Sequence, residues 1–198
     1  DFVTHAEIAL QNASLFEERT KALQALESSE ALKTALLQMV KTLSSELDLK
    51  KCVREIMKQC KVLLQVDICT MFLIDEEANE MITYNFTTNE GGEGKDVVRI
   101  PLDKGVAAHC AKSAEVINLV DAYDSPLFND AMDKKTGYRT RGMMCMPVFY
   151  GQGRYKVAAV LQTINKLDGS AFNDEDISIL HDFCAHAQIA LRNARRYE

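Results

Sequence analysis

The sequence predicts an α+β fold built on a central antiparallel sheet of about six strands. Three observations carry that prediction. Short apolar runs rich in β-formers arrive in consecutive pairs, residues 68–74 with 81–87 and residues 143–149 with 157–164. Turn-forming segments separate them, among them NEGGEGK at 89–95 and a connection at 150–155 that holds two glycines. Long stretches with helical periodicity bracket the paired runs at both ends.

Taken in order, residues 1–49 contain neither proline nor glycine and are rich in Ala, Leu, Glu, Lys and Gln, all strong helix formers. Apolar positions Leu15, Ala22, Leu26, Leu36, Val40, Leu43 and Leu47 make a seam suited either to a partner helix or to the protein's own core. Residues 49–65 continue as an amphipathic helix with Val53, Ile56, Met57, Cys60 and Leu64 on one face. Residues 68–74 form a strand, 75–79 a turn, 81–87 a second strand, and 97–100 a third that Pro101 ends. Asp103-Lys104-Gly105 leads into a helix over 106–113, followed by a short strand at 116–118 and a mixed loop and helix over 122–135. After the hairpin of 143–149 and 157–164, a closing helix runs over 173–196, with Asn173 or Asp174 as its N-cap and a core stripe through Ile177, Leu180, Phe183, Cys184, Ala187 and Leu191.

At 198 residues and 47% hydrophobic content, the chain can bury a substantial core. A net charge of −6 argues against a nucleic-acid surface, which needs clustered positive charge. No apolar run approaches the length of a membrane span, and no signal-peptide pattern opens the chain. The six cysteines show no C-x-x-C pair and no metal-like spacing, and most sit among apolar neighbours, which points to a reducing, cytoplasmic compartment.

An internal repeat defines the organisation. Residues 1–13 read DFVTHAEIALQNA and residues 182–194 read DFCAHAQIALRNA, identical at nine of thirteen positions. The expectation is a tandem array: 1–13 the C-terminal helix end of a preceding domain copy, 14–48 a connecting helix, and 49–198 a complete second copy.

Several motifs then point to one family. Asn165-Lys166, Phe172 and Asp176 resemble the NK…F…DE signature of cyclic-nucleotide-binding GAF domains. Residues 100–109 (IPLDKGVAAH), 118–129 (NLVDAYDSPLFN), 133–141 (DKKTGYRTR) and 143–148 (MMCMPV) resemble that family in order and spacing. The similarity covers about residues 48–198 and is nearest to the regulatory GAF domains of tandem-GAF cyclic-nucleotide phosphodiesterases, with tandem-GAF adenylyl cyclases as relatives. One position departs, because the family's final acidic residue falls at Ile177. The resemblance implies the GAF fold, with helices on both faces of the sheet and a long N-terminal linker helix before it. It also implies a Lys166–Asp176 salt bridge that, with Asn165 and Phe172, braces the site without touching ligand.

A cyclic nucleotide needs a platform for its purine, hydrogen bonds on the base edge and donors for its phosphate. The segment Asp103-Lys104-Gly105 before Val106 and Ala107 leaves backbone N–H groups free at a helix start, where an anion is favoured. The resemblance gives Val106 and Ala107 that role, and sets Phe86 against the base with Thr87 and Thr70 on its edge. Asp133, Thr136 and Thr140 recur at spacings of three and four, one face of a helix. Such a face ordinarily meets solvent; the resemblance makes it the ribose-phosphate side of a lid, with Asn129 nearby. Gln162 interrupts an apolar strand and must find a partner if buried. The matching family position faces the purine, and an amide that both donates and accepts serves adenine or guanine.

The functional expectation is therefore a regulatory domain that binds cAMP or cGMP, cAMP slightly favoured. It would control a phosphodiesterase catalytic domain outside this chain, with no enzymatic activity and no metal of its own. Expected partners are the nucleotide, a second copy through the N-terminal helix, the preceding GAF copy and that catalytic domain. The principal alternative is a non-binding GAF domain that dimerises through its linker helix. A methionine sulfoxide reductase would need cysteines converging on the pocket, whereas Cys69, Cys110 and Cys145 are scattered. A bilin carrier would need Cys before His, and here the order is His109-Cys110.

Overall fold

The computed structural model describes residues 15–21, 23, 34, 48–84, 97–150 and 156–195. Residues 15–21 are helical and exposed. The 1–13 repeat, most of the 14–48 linker, and Phe86 and Thr87 lie outside the described residues.

Asp48 starts the first helix of the domain, α1 (Leu49–Leu64), by accepting hydrogen bonds from the amides of Lys50 and Lys51. Gln65 ends it in the left-handed conformation, φ 50°. Its apolar stripe of Leu49, Cys52, Val53, Ile56, Cys60 and Leu64 is buried. Six strands follow: β1 (Val66–Asp75), β2 (Glu80–Tyr84), β3 (Val97–Pro101), β4 (Ile117–Leu119), β5 (Met143–Phe149) and β6 (Val157–Lys166). Between them lie α2 (Val106–Ser113), a 3₁₀ turn (Ala122–Asp124) and α3 (Ala131–Thr136), and α4 (Asp174–Arg195) closes the described chain.

The strands form one sheet in the order β3-β2-β1-β6-β5-β4, antiparallel throughout. The two ten-residue strands, β1 and β6, lie at its centre. Their apolar runs are nearly continuous because both faces are covered. Cys69, Met71, Leu73, Met144, Met146 and Leu161 pack under α1 and α4 with Ile56, Leu180 and Phe183. Phe72, Ile74, Met143, Cys145, Val160 and Ile164 point to the other face, against α2. A register shift at Val148/Phe149 keeps Val157 and Val160 on the same side although three positions separate them. Pro147 in β5 lies beyond the last β4 pairing, Ile117↔Cys145, so no ladder on that edge needs its N–H. The outer strand β3 exposes Val97 and Val98, and Arg99 pairs with Glu80 (3.0 Å) and Asp75 (3.6 Å) beside it.

Several strand bounds differ from the sequence reading by one or two residues. The central strands extend two residues further into polar sequence than hydrophobic alternation suggests, since Val66 pairs with Lys166. The second strand is described from Glu80 to Tyr84, and its expected positions 85–87 lie outside the described residues.

Candidate ligand-binding site

A cavity of about 450 Å³ opens on the α2 face of the sheet, within the size range of small-molecule sites. Its floor is apolar: Phe72, Met81, Met143 and Ile164 rise from β1, β2, β5 and β6. The start of α2 forms one end. Gly105 adopts φ 93° and ψ 167°, a conformation open essentially to glycine alone, and no side chain among the described residues caps the helix it begins. The first-turn amides of Val106 and Ala107 thus stand at the cavity wall with the positive end of the helix dipole behind them. Asp103 and Lys104 add one charge of each sign at the exposed rim.

Gln162 is the amide on the cavity's β6 wall. Across the sheet it faces Thr70 in β1 and Cys145 in β5, and the Cys145 thiol lies 3.6 Å from Gln162 Oε1. Burial pushes the Cys145 and Cys110 thiols up, Cys110 to about 12, so both stay protonated beneath the cavity. Thr70 is half-buried beside Gln162 and is not part of the cavity wall.

The roof is the lid segment, residues 126–141, which contributes Phe128, Asn129, Met132, Asp133 and Thr140 to the lining. Asn129 is exposed, and its Oδ1 accepts from the Ala131 amide as α3 begins (3.0 Å). The expectation that Asp133, Thr136 and Thr140 share a helical face is corrected here. Helix α3 stops at Thr136 because Gly137 takes the left-handed conformation, φ 73°. Thr136 is exposed and its hydroxyl donates back to the Met132 carbonyl (2.8 Å). Thr140 instead folds over Asp133, donating from its amide (2.7 Å) and its hydroxyl (2.9 Å). Tyr123 Oη donates to the same carboxylate at 3.1 Å, and the Arg139 guanidinium lies 3.5 Å over the Tyr123 ring. Asp133 is thus a buried staple of the lid as well as part of the cavity lining.

The signature residues lie one layer away. Lys166 Nζ donates to both carboxylate oxygens of Asp176, at 3.0 and 2.9 Å. Asn173 and Asp176 exchange side-chain-to-amide hydrogen bonds at 2.9 and 3.0 Å, a reciprocal cap that starts α4. Phe172 is buried against the helix-side core, and its carbonyl accepts from Asn118 Nδ2 in β4. Ile177, standing where the family pattern has an acid, packs against that same core. Asn165 binds the return of the lid rather than the cavity.

Of the expected site residues, the structure gathers Val106, Ala107, Asn129, Asp133, Thr140 and Gln162 around one cavity. It leaves Thr136 outside and Thr70 beside Gln162 but off the cavity wall. Sequence reasoning missed the floor residues, whose apolar character reads as ordinary core, and missed Tyr123, whose contact with Asp133 joins residues ten apart.

Comparison with known proteins agrees with this architecture. The family model described as GAF domain matches residues 48–191. The dual 3',5'-cyclic-AMP and -GMP phosphodiesterase 11 of Drosophila melanogaster is 32% identical over 178 residues, which is 84% of this chain and 12% of that protein's length. The GAF domain of a Coxiella burnetii phosphoenolpyruvate-protein phosphotransferase superposes with a TM-score of 0.68 at 18% identity, over 84% of this chain and 96% of the other. The free methionine-R-sulfoxide reductase of Neisseria meningitidis, solved with its substrate, gives 0.64 at 16% identity over 84% and 92%. At such identities the two structures speak for the fold alone.

Proposed function

The chain belongs to the GAF domain family, and from that premise we propose that its cavity binds a cyclic nucleotide, cAMP slightly favoured over cGMP, and that occupancy controls a phosphodiesterase catalytic domain outside this chain. The observation that carries the reading is the composition of the cavity. An apolar slot, one amide at Gln162 and the uncapped start of α2 lie around the same 450 Å³. Those are the three environments that a purine, its polar edge and a phosphate require. Val106 and Ala107 amides would hold the phosphate, Gln162 the base edge, and the lid around Asp133 and Thr140 the ribose side. Asn129 in the lid and Phe86 and Thr87, outside the described residues, complete the set, whereas Thr70 and Thr136, expected there too, lie off the cavity wall.

Identity with a phosphodiesterase named for both nucleotides supports the choice of ligand class. The mode of control is a population shift: ligand favours the closed lid through its differential affinity for that state. The repeat at 1–13 supports a preceding GAF copy, and six free cysteines, all buried, suit a reducing cytoplasm. A thiol-based reductase is disfavoured because burial and neighbouring thiols hold the Cys60, Cys110, Cys145 and Cys184 protons on.

A second reading, dimerisation through the N-terminal helix, is favoured by Leu15, Phe16 and Leu23, which are 61%, 73% and 52% exposed. Native mass spectrometry of the chain with each nucleotide separates the two: a ligand-mass increment on the monomer supports binding, and a bare dimer supports the alternative.

A further inference from the structure

Three consecutive residues at the end of β6 hold three separate parts of the molecule. Asn165 grips the return of the lid: its Nδ2 donates to Tyr138 Oη and to the Arg139 carbonyl (both 2.9 Å), and its Oδ1 accepts from the Arg141 amide (2.8 Å). Its own amide donates to the Gly142 carbonyl at 2.9 Å. To aim both backbone and side chain this way Asn165 adopts φ 52°, a left-handed conformation that asparagine tolerates. Lys166 then holds Asp176 in the first turn of α4, and the Leu167 amide donates to the carbonyl of Gln65, the C-cap of α1 (2.8 Å). Tyr138 Oη closes the circuit by donating to Asp67 Oδ2, 2.6 Å away in β1.

We propose that Asn165 is a positioning residue that couples the lid segment to α1 and α4, so that lid closure is felt at both long helices. The proposal rests on the cavity being a ligand site. Its geometric content is that every side-chain link from Asn165 ends on residues 138–141, while the two residues that follow it, Lys166 and Leu167, bond to the start of α4 and the C-cap of α1. A lid that lifts must therefore break these bonds or displace the backbone that carries Lys166 and Leu167. Interiors transmit such displacements because they are closely packed.

The test is amide hydrogen exchange on the full chain in a mutant cycle of wild type, Asp133→Asn, Asn165→Gly and the double variant. Glycine keeps the left-handed backbone and removes only the side-chain bonds. Asp133→Asn loosens the lid from its far side, and exchange over 131–141 should rise at least about tenfold, the scale of lost hydrogen bonds. With Asn165 present, exchange at 61–65 and 174–177 should rise as well. In the Asn165→Gly background the same change should add nothing at those helix ends. An equal response of the helix ends in both backgrounds, or none in either, overturns the coupling. If Asn165→Gly does not fold, Asn165→Asp, which removes both Nδ2 donations and keeps the Arg141 bond, takes its place in the cycle; the added response at the helix ends should then shrink, and an undiminished response overturns the coupling. Millimolar cAMP or cGMP forms a separate arm. Protection of 131–141 without protection of 174–177 in Asn165→Gly supports the coupling, and protection of both overturns it. No protection in wild type counts against nucleotide binding, and the unliganded cycle still decides the coupling.

Discussion

Thr140 closes on Asp133 with both of its donors, the amide 2.7 Å from Oδ2 and the hydroxyl 2.9 Å from Oδ1. With Tyr123 Oη a third donor, the buried carboxylate organises the lid from within. Asp133→Ala should leave these donors without a partner and cost about 2–4 kcal/mol. Thr136→Ala, on an exposed side chain of the same helix, should stay within about 0.5 kcal/mol. Denaturant midpoints of the two variants check the contrast, and similar values would return the lid to the simple helical face that the spacing suggests.

The ion pair beneath the site gives a second prediction. The side chains of Lys166 and Asp176 are 14% and 9% exposed, so removing one partner strands a poorly solvated charge. Lys166→Met should cost about 3–5 kcal/mol, and pairing it with Asp176→Leu should recover part of that loss. The recovery is incomplete because Asp176 also accepts the Asn173 amide that caps α4. Urea unfolding of both single variants and the double variant measures it; a double variant no better than the worse single would contradict the account.

These two sites show what the sequence makes legible. The helix Val106–Ser113 and the strand Met143–Phe149 are predicted to the residue, the first from the Gly105 that leads into it and the second from its apolar run. The centre of the sheet is legible as apolar runs, but its ends are not: Asp67 and Asn165-Lys166 are polar and still belong to β1 and β6. Cavity residues Gln162, Val106 and Ala107 were found because each breaks or begins an element. The lid was misread because spacing alone treats 133–140 as continuous helix, whereas Gly137 ends it and lets Thr140 turn back. The hold of Asn165 on Arg139 and Arg141 spans more than twenty residues and leaves no local pattern to read.

Glycine at the α2 start is the third case. Gly105→Ala meets no atom of the described residues within 4 Å, so its expected cost is backbone strain at φ 93°, about 1–3 kcal/mol. Gly142→Ala would place its Cβ 3.7 Å from the Phe172 ring, an ordinary contact at an ordinary φ, and should be close to neutral. Thermal unfolding ranks them, and the reverse order would contradict the geometry at the cavity end.

Alkaline pH should weaken the fold. Burial pushes the Cys110 thiol up to about 12, and Cys145 and Cys184 are raised for the same reason. Cys60 is raised first by its hydrogen bond with Cys69 and then by burial. An unfolded chain loses these protons near pH 9 while the folded one retains them, so unfolding releases protons. Stability is therefore intact below pH 9 and falls as pH rises toward the folded-state values. Melting curves from pH 8 to 11 should show that decline, with a shallower slope in Cys110→Ala; a flat profile for the parent chain would refute it.

The central claim, that the cavity between α2, the sheet and the lid takes a cyclic nucleotide, is tested most directly by isothermal titration of the 198-residue chain with cAMP and with cGMP. The account predicts saturable one-site heat for at least one nucleotide, cAMP slightly the tighter. It also predicts affinity about tenfold lower in Gln162→Leu, the loss of one well-placed hydrogen bond. No saturable heat from either nucleotide up to millimolar concentration would contradict it.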